Sequence, residues 1–341
     1  MDKLTIKTLA KQLQLSVSTI SKALRDSHEI SEKTKQKVLA LARELNYVPN
    51  PYASSLRRKK SKTIAVIIPE VADNFFSLAI NGIQSVAESK GYHLLIYLSH
   101  EKYANEKAIV DDCSSGRVDG VLISISGETT SGAHFKKLQS EKIPLVFFDR
   151  ACEDITAAKI ITNDYECGYL AAQHLAGRGC RQPVFLSVSG SLGICRKRAD
   201  GFKAGLAGAG LKVSEKNVFI CSDNHDDNYK EIVALIKSKK RPDGIVASVE
   251  RLAMQVYLAG MQCGIRIPED IKVLAFSTLE TAPILNPSLT TICQPAFEIG
   301  KTAATLLFNS IEKTNMDYTK ELVVLPSVLM ERNSTKGPAV Q

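Results

Sequence analysis

From Thr63 onward the chain alternates continuous apolar runs with helical stretches, a period that few architectures other than a parallel α/β sheet satisfy. The runs "TIAVIIP" (63–69), "YHLLIYLS" (92–99), "VDGVLISIS" (118–126) and "IPLVFFD" (143–149) read as buried strands, and Phe75 to Lys90 reads as helix. The alternation starts again with a helix over Tyr165 to Ala176 and strands at "PVFLSV" (183–188), "NVFI" (217–220), "DGIVAS" (243–248) and "IKVLAF" (271–276). Two lobes of similar size follow, with "TTICQP" near 290 and "LVVLPSVL" near 322 returning the chain between them. Lobe 1 is expected over about 63–161 and 291–320, and lobe 2 over about 162–290 and 321–330. Ligands in such folds sit beyond the carboxyl ends of the strands, so the cleft between the lobes is the expected binding place.

The first 46 residues have a different period. Ile6, Leu9, Ala10 and Leu13 form a helical stripe behind Thr5 as cap; Ile20, Ala23 and Leu24 form a second behind Ser16; Val38, Ala42 and Leu45 form a third behind Ser31. Only Gln14 and Leu15 separate the first stripe from the Ser16 cap, which makes the first two helices cross steeply, as in a helix-turn-helix. If the second helix buries Ile20, Ala23 and Leu24, its outer face carries Val17, Ser18, Ser21, Lys22 and Arg25. Lys22 suits guanine O6 and N7, Ser18 donates or accepts, Val17 meets a thymine methyl, and Thr19 and Ser21 suit phosphates. A generic three-helix bundle with a solvated basic face has the same spacing. Charge separates the two readings. Residues 1–62 hold 14 Lys and Arg against 5 Asp and Glu, whereas the rest of the chain holds 30 against 31. The excess positive charge belongs to the helical module, as expected of a nucleic-acid partner.

The junction "YVPNPYASSLRRKK" (47–60) reads as a short helix and linker over 49–62, with Asn50 as N-cap, Pro51 in the first turn, Ala53 permitting close helix contact, four cations drawn to phosphates, and Leu56 either projecting as an apolar wedge or anchoring the linker to the core. Other chemistry finds no support. Eight scattered cysteines without a CxxC and six histidines without a close pair indicate neither a zinc site nor a disulfide scaffold. "IGKT" (299–302) has Pro295 where a phosphate-binding loop needs glycine, and "GLAGAG" (205–210) has the wrong spacing for a dinucleotide fingerprint and reads as a helix end. No cofactor and no catalysis are expected. The start "MDKLTIKTLA" has no signal-peptide core and no run reaches membrane length, so a cytoplasmic protein with no membrane partner is expected.

"TIKTLAKQLQLSVSTISKAL", "ISEKTKQKVLALARELNYVPN", "NPYASSLR", "DNFF", "SGRVDGVLIS", "PLVFFDR", "RKRADGF", "IPEDIKVLAF" and "PSLTTICQPAFEIGKTAA" together resemble the LacI/GalR family of bacterial transcription regulators over nearly the whole chain. The resemblance implies a helix-turn-helix domain (1–48), a hinge helix (49–62) and a two-lobed periplasmic-binding-protein-like core (63–341). It also implies a homodimer on pseudo-palindromic operator DNA and a small-molecule effector, a sugar, sugar phosphate or similar metabolite. Carried onto this chain, the family's base-reading positions fall on Val17, Ser18 and Lys22, its phosphate-contacting positions on Thr5, Ser16, Thr19, Ser21, Ser31 and Thr34, and its minor-groove wedge on Leu56. In the cleft it points to Asn74, Phe75 and Phe76 as ring-stacking or wall residues, and to Asp149 and Arg198 facing each other across the ligand. Plain readings stand beside these: Phe75 and Phe76 packing a helix on its sheet, Asp149 capping or pairing with Arg150, Asp164 as an N-cap.

The chain departs from many sugar-binding members where an Asn-Asp pair gives way to Val249 and Glu250, and an Asp to Ser277. Fewer hydroxyl partners point either to a smaller, phosphorylated or less hydroxylated ligand or to a ligand read through other residues. "MERNSTKGPAVQ" has no heptad, so a dimer rather than a tetramer is expected. The competing reading is a binding protein of the transport type, which the basic helical module and the lack of a secretory leader disfavour.

Overall fold

The computed structural model describes residues 5–47, 61–221, 225–312 and 317–336, in two units, Met1–Ser61 and Lys62–Gln341. In the first unit, α1 (Ile6–Leu13), α2 (Val17–Ala23) and α3 (Glu32–Glu44) start behind Thr5, Ser16 and Ser31. Gln14 ends α1 in the left-handed region (φ 53), its N–H reaching back to the Ala10 and Lys11 carbonyls, and this reversal makes the tight turn into α2. Leu9, Ala10, Ile20, Ala23, Val38 and Ala42 are buried together, so the three stripes meet in one small core. Among the expected hinge residues, Asn50, Ala53 and Leu56 lie outside the described residues.

The second unit consists of two six-stranded sheets with helices on their faces. Lobe 1 has the order β11-β5-β4-β3-β1-β2, and lobe 2 the order β12-β10-β9-β8-β6-β7. Lobe 1 is built from β1 (Thr63–Ile68), β2 (His93–Leu98), β3 (Val121–Ile123), β4 (Leu145–Phe148), β5 (Ala158–Thr162) and β11 (Leu322–Leu325). Lobe 2 is built from β6 (Pro183–Ser187), β7 (Val218–Ile220), β8 (Gly244–Ala247), β9 (Lys272–Phe276), β10 (Thr290–Cys293) and β12 (Val328–Met330). All pairings are parallel except β10 with β12. Central strands are buried throughout, as in β4 and β8, because helices cover both faces.

Three expectations are corrected. The third strand, expected over 118–126, contracts to Val121–Ile123. The strand β5 was not anticipated, because "AKIIT" alternates buried with half-buried residues instead of forming an apolar run. The lobe boundaries also move. β10 pairs with β9, so lobe 2 extends through Cys293 rather than ending at 290. "LVVLPSVL" is two strands: β11 pairs with β5 in lobe 1 and β12 with β10 in lobe 2, and Pro326, which cannot donate to a ladder, lies between them.

The helices are α4 (Asn74–Ser89), α5 (Tyr103–Asp112), α6 (Lys136–Ser140), α7 (Asp164–Gly177), α8 (Gly193–Gly208), α9 (His225–Lys237), α10 (Glu250–Cys263) and α11 (Ala296–Glu312). The "IGKT" stretch lies within α11, and "GLAGAG" spans the end of α8. Glycine allows the closest helix contacts. A Cβ at Gly300 in α11 would stand 1.9 Å from the Ala79 carbonyl oxygen of α4, and one at Gly168 in α7 would stand 2.0 Å from the Arg198 carbonyl oxygen of α8. The second contact sets where Arg198 sits.

Candidate functional site

The helical unit presents Val17 and Ser18 exposed and Lys22 half-buried on α2. Lys22 Nζ is ion-paired to Glu29, whose carboxyl it holds below the usual range, so a base contact by Lys22 has first to break an exposed pair of small worth. The residues expected at phosphates have local duties as well. Ser16 Oγ accepts from Thr19 N at 3.0 Å, the Ser31 and Thr34 hydroxyls meet at 2.9 Å, and Thr5 N donates to Thr8 Oγ1 at 3.4 Å. Arg25 donates to Ser21 Oγ at 2.5 Å. Three hydroxyl-lined helix N-termini thus lie in a basic module, a setting in which backbone N–H groups and the helix dipole both favour phosphate.

In the core, the carboxyl ends of strands from both lobes bring their loops to one place. An inner cavity of ≈ 30 Å³ is lined by Phe75, Phe76, Asp149 and Arg150 of lobe 1, by Ile194, Arg198, Val249, Glu250, Phe276 and Ser277 of lobe 2, and by Gln294 between them. An outer cleft of ≈ 1090 Å³ continues from it past Glu101, Lys102, Glu128 and the Ser189–Leu192 turn. The inner cavity is small because the lobes are drawn together. Asn74 Nδ2 donates to the Thr278 carbonyl oxygen at 2.5 Å, Asn74 N donates to Glu250 Oε1 at 3.3 Å, and Ser277 Oγ donates to Glu250 Oε2 at 2.9 Å. Burial pushes the Glu250 carboxyl up, against the hydrogen bond from Ser277.

Of the expected effector residues, Phe75, Phe76, Asp149, Arg198, Val249 and Ser277 line this cavity; Asn74 does not, its amide being spent across the lobes. Phe75 and Phe76 meet edge-on at 5.3 Å and belong to the lobe 1 core, so they both pack the helix and form the wall. Arg198 is 2 % exposed and committed to its own lobe: Nε donates to Asp164 Oδ1 at 2.7 Å, Nη1 to the Ser248 carbonyl oxygen at 2.9 Å, and the guanidinium lies 4.2 Å from the Phe276 ring centre. It shares the cavity with Asp149, whose carboxyl feels its charge, with Nε and Nη1 both held within lobe 2. Asn163, not Asp164, holds the cap position of α7, and Asp164 is the partner of Arg198.

Asp149 follows β4 in the left-handed region (φ 61), a conformation costly for any residue but glycine, asparagine and aspartate. Its partners are distant: Gln294 Nε2 at 3.3 Å, Ser124 Oγ at 3.5 Å and Arg150 Nε at 3.8 Å. Burial pushes its carboxyl up to about 6, with the Arg150 charge opposing. Arg150 Nη1 donates to both Glu101 oxygens, at 2.8 and 3.0 Å, while its buried Nε has no hydrogen-bond partner. His100 and Glu101 are also left-handed, with φ of 52 and 59. Arg150, Glu250 and Gln294 were missed as site residues from sequence; Arg150 and Gln294 stood within motifs that carried the resemblance, and Glu250 within a noted departure.

A family model described as "Bacterial regulatory proteins, lacI family" matches residues 5–50, and one described as "Periplasmic binding proteins and sugar binding domain of LacI family" matches residues 61–327. The chain belongs to the LacI family. Among relatives of this LacI-family regulator, an HTH-type transcriptional repressor PurR of Vibrio cholerae is 30% identical over 97% of this chain and 98% of its own. A ribose operon repressor of Halalkalibacterium halodurans is 30% identical over 98% and 97%. The fold is similar to that of the Lac repressor dimer bound to operator and the anti-inducer ONPF, with a TM-score of 0.84 at 22% identity, covering 98% of this chain and 100% of that one. It is also similar to that of a CelR-cellobiose complex (TM-score 0.72, 20% identity, 97% and 100% covered). Among the described residues no helix is long and apolar enough to cross a membrane.

Proposed function

We propose that this LacI-family protein is a cytoplasmic, homodimeric repressor that reads a pseudo-palindromic operator through Val17, Ser18 and Lys22 and is controlled by a sugar-like metabolite held in the cleft between the lobes, where the inner cavity opens into the outer cleft. The observation that carries the effector half is that Phe76 and Asp149 of lobe 1 and Arg198 and Phe276 of lobe 2 line one cavity. A ligand there touches both lobes, so its binding energy depends on their spacing, and a ligand that favours one spacing shifts the population toward it. The DNA half rests on the basic helical unit with its exposed α2 face, and on the repressor names of full-length relatives. Thr5, Ser16, Thr19, Ser21, Ser31 and Thr34 are the phosphate contacts in this reading, and Asn50, Ala53 and Leu56 are the minor-groove hinge. A thermal-shift screen of the full-length protein against sugars, sugar phosphates, nucleosides and purines tests the effector half, because a ligand of the native state raises its stability. A compound that raises the melting temperature and changes DNA affinity supports the reading; one that does the first without the second refutes it.

A further inference from the structure

Arg150 is 7 % exposed, yet its Nε has no hydrogen-bond partner among the described residues. A buried donor left without an acceptor is costly, and more so when charged, so the site favours an acceptor oxygen there. Glu101, held by strained backbone, fixes Nη1, Asp149 Oδ2 stands 3.8 Å from Nε, and Arg150 lines both the inner cavity and the outer cleft. A second feature of the same cleft attracts negative charge. The α8 helix, 16 residues long, begins behind Leu192, which gives it no side-chain cap, and Leu192 lines the outer cleft while Ile194 of its first turn lines the inner cavity. Uncapped first-turn N–H groups carry the positive end of the helix dipole toward whatever fills the cleft.

We propose that the effector carries an anionic oxygen group, a phosphate or a carboxylate, seated between Arg150 of lobe 1 and the uncapped start of α8 in lobe 2. The proposal rests on the reading of the cleft as the effector site and names the ligand's class. The other carboxylates that line the cleft are already engaged: Glu70 with His100, Asp73 with Phe75 N, Glu101 with Arg150 and Gly127 N, Glu128 with Lys102 and Tyr103 N, Glu250 with Ser277. Asp149, with Gln294 no nearer than 3.3 Å and Arg150 Nε at 3.8 Å, has room to accept a hydroxyl from the body of the ligand while the anionic group takes the nearer approach to Arg150. An acceptor-rich head on a hydroxylated body describes a sugar phosphate or a sugar acid.

The test is calorimetric titration of the full-length protein with matched probes: ribose against ribose 5-phosphate, and glucose against glucose 6-phosphate and glucuronate. The anionic member of at least one set binds ten-fold or more tightly than its neutral partner, and phosphate against carboxylate separates the two sources. Two variants remove that advantage. Arg150→Gln deletes the charge; Gly190→Asp, at an exposed position where an added Cβ meets Ile220 at an ordinary 3.7 Å, places a carboxylate beside the seat without disturbing the core. Neutral partners that bind as tightly, a preference that survives Gly190→Asp, or no binding by any anionic probe each overturn the proposal. Ile194→Trp fills the inner cavity and tells the two failures apart. If it abolishes binding of a neutral sugar, the cleft is the effector site and only the anionic group is wrong; if all binding is indifferent to it, the cleft reading itself is wrong.

Discussion

Replacing Asp149 with asparagine stabilises the protein and, on the proposed reading of the cleft, weakens its hold on the effector. The carboxyl is pushed from an ordinary 3.8 up to about 6 by burial, partly opposed by Arg150. Between those values the folded state holds a proton that the unfolded chain has lost. Stability from this group is therefore greatest below about pH 4, falls as pH rises to about 6, and stays low above. At about 1.4 kcal/mol per unit, ionised Asp149 costs the fold about 3 kcal/mol at neutral pH. Asparagine removes the charge, keeps an acceptor for Gln294 Nε2, and tolerates the φ of 61 at this position. Urea melts of parent and Asp149→Asn at pH 4.5, 5.5, 6.5 and 7.5 read the effect as a shift in midpoint at constant slope. The variant is more stable by about 1–3 kcal/mol at pH 7.5, and the gap closes toward pH 4.5. A gap that does not change with pH, or a variant less stable than the parent at pH 7.5, refutes the argument. On the proposed reading the gain in stability comes with loss of a ligand contact, the usual exchange where a buried, poorly paired charge is kept for function.

Arg198→Ala leaves Asp164 buried without its cation and costs about 3–5 kcal/mol in urea melts, and Asp164→Asn in the same background recovers part of the loss; no recovery would show that the ion pair is not the cause. Gly300→Ala places a Cβ 1.9 Å from the Ala79 carbonyl oxygen, so the α4–α11 contact has to open, and the loss of about 1–3 kcal/mol exceeds the helix-propensity gain of about 1 kcal/mol. A melting temperature equal to or above the parent's would contradict the close packing. Lys22→Ala weakens binding to a selected operator by about 1–3 kcal/mol and binding to random DNA far less, measured by fluorescence anisotropy. Equal losses would make Lys22 a phosphate contact.

What could be read without coordinates was whatever is local. Thr5, Ser16 and Ser31 announced the three helices because a cap and its stripe lie within one or two turns. The central strands announced themselves because a sheet covered on both faces needs unbroken apolar runs. β5 stayed hidden because Lys159 and Ile161 are only half-buried, and "LVVLPSVL" was placed wholly in lobe 2 because apolar character alone does not say which sheet a residue joins. The site divides in the same way. Asp149, Phe76 and Arg198 were found through motifs, but the bonds that set the cleft's shape join residues far apart in the chain: Glu250 to Asn74, 176 positions away, and Arg198 to Asp164, 34 positions away. No spacing rule reaches that far. Glu250 looked like a departure from a pattern and is a tie between the lobes.

The central claim is that one ligand in the cleft governs one function of the helical unit. It is tested most directly by the affinity of the full-length protein for a DNA site selected from a random pool, measured by anisotropy with and without the compound that raises its melting temperature. The account predicts a pseudo-palindromic selected site and a change in affinity of at least five-fold when the compound is added, in the range of about 5–150-fold typical of coupled sites. The compound's own affinity then changes by the same factor when the DNA is present. A random pool that yields no common sequence, or an affinity unchanged by a compound that binds the cleft, contradicts it.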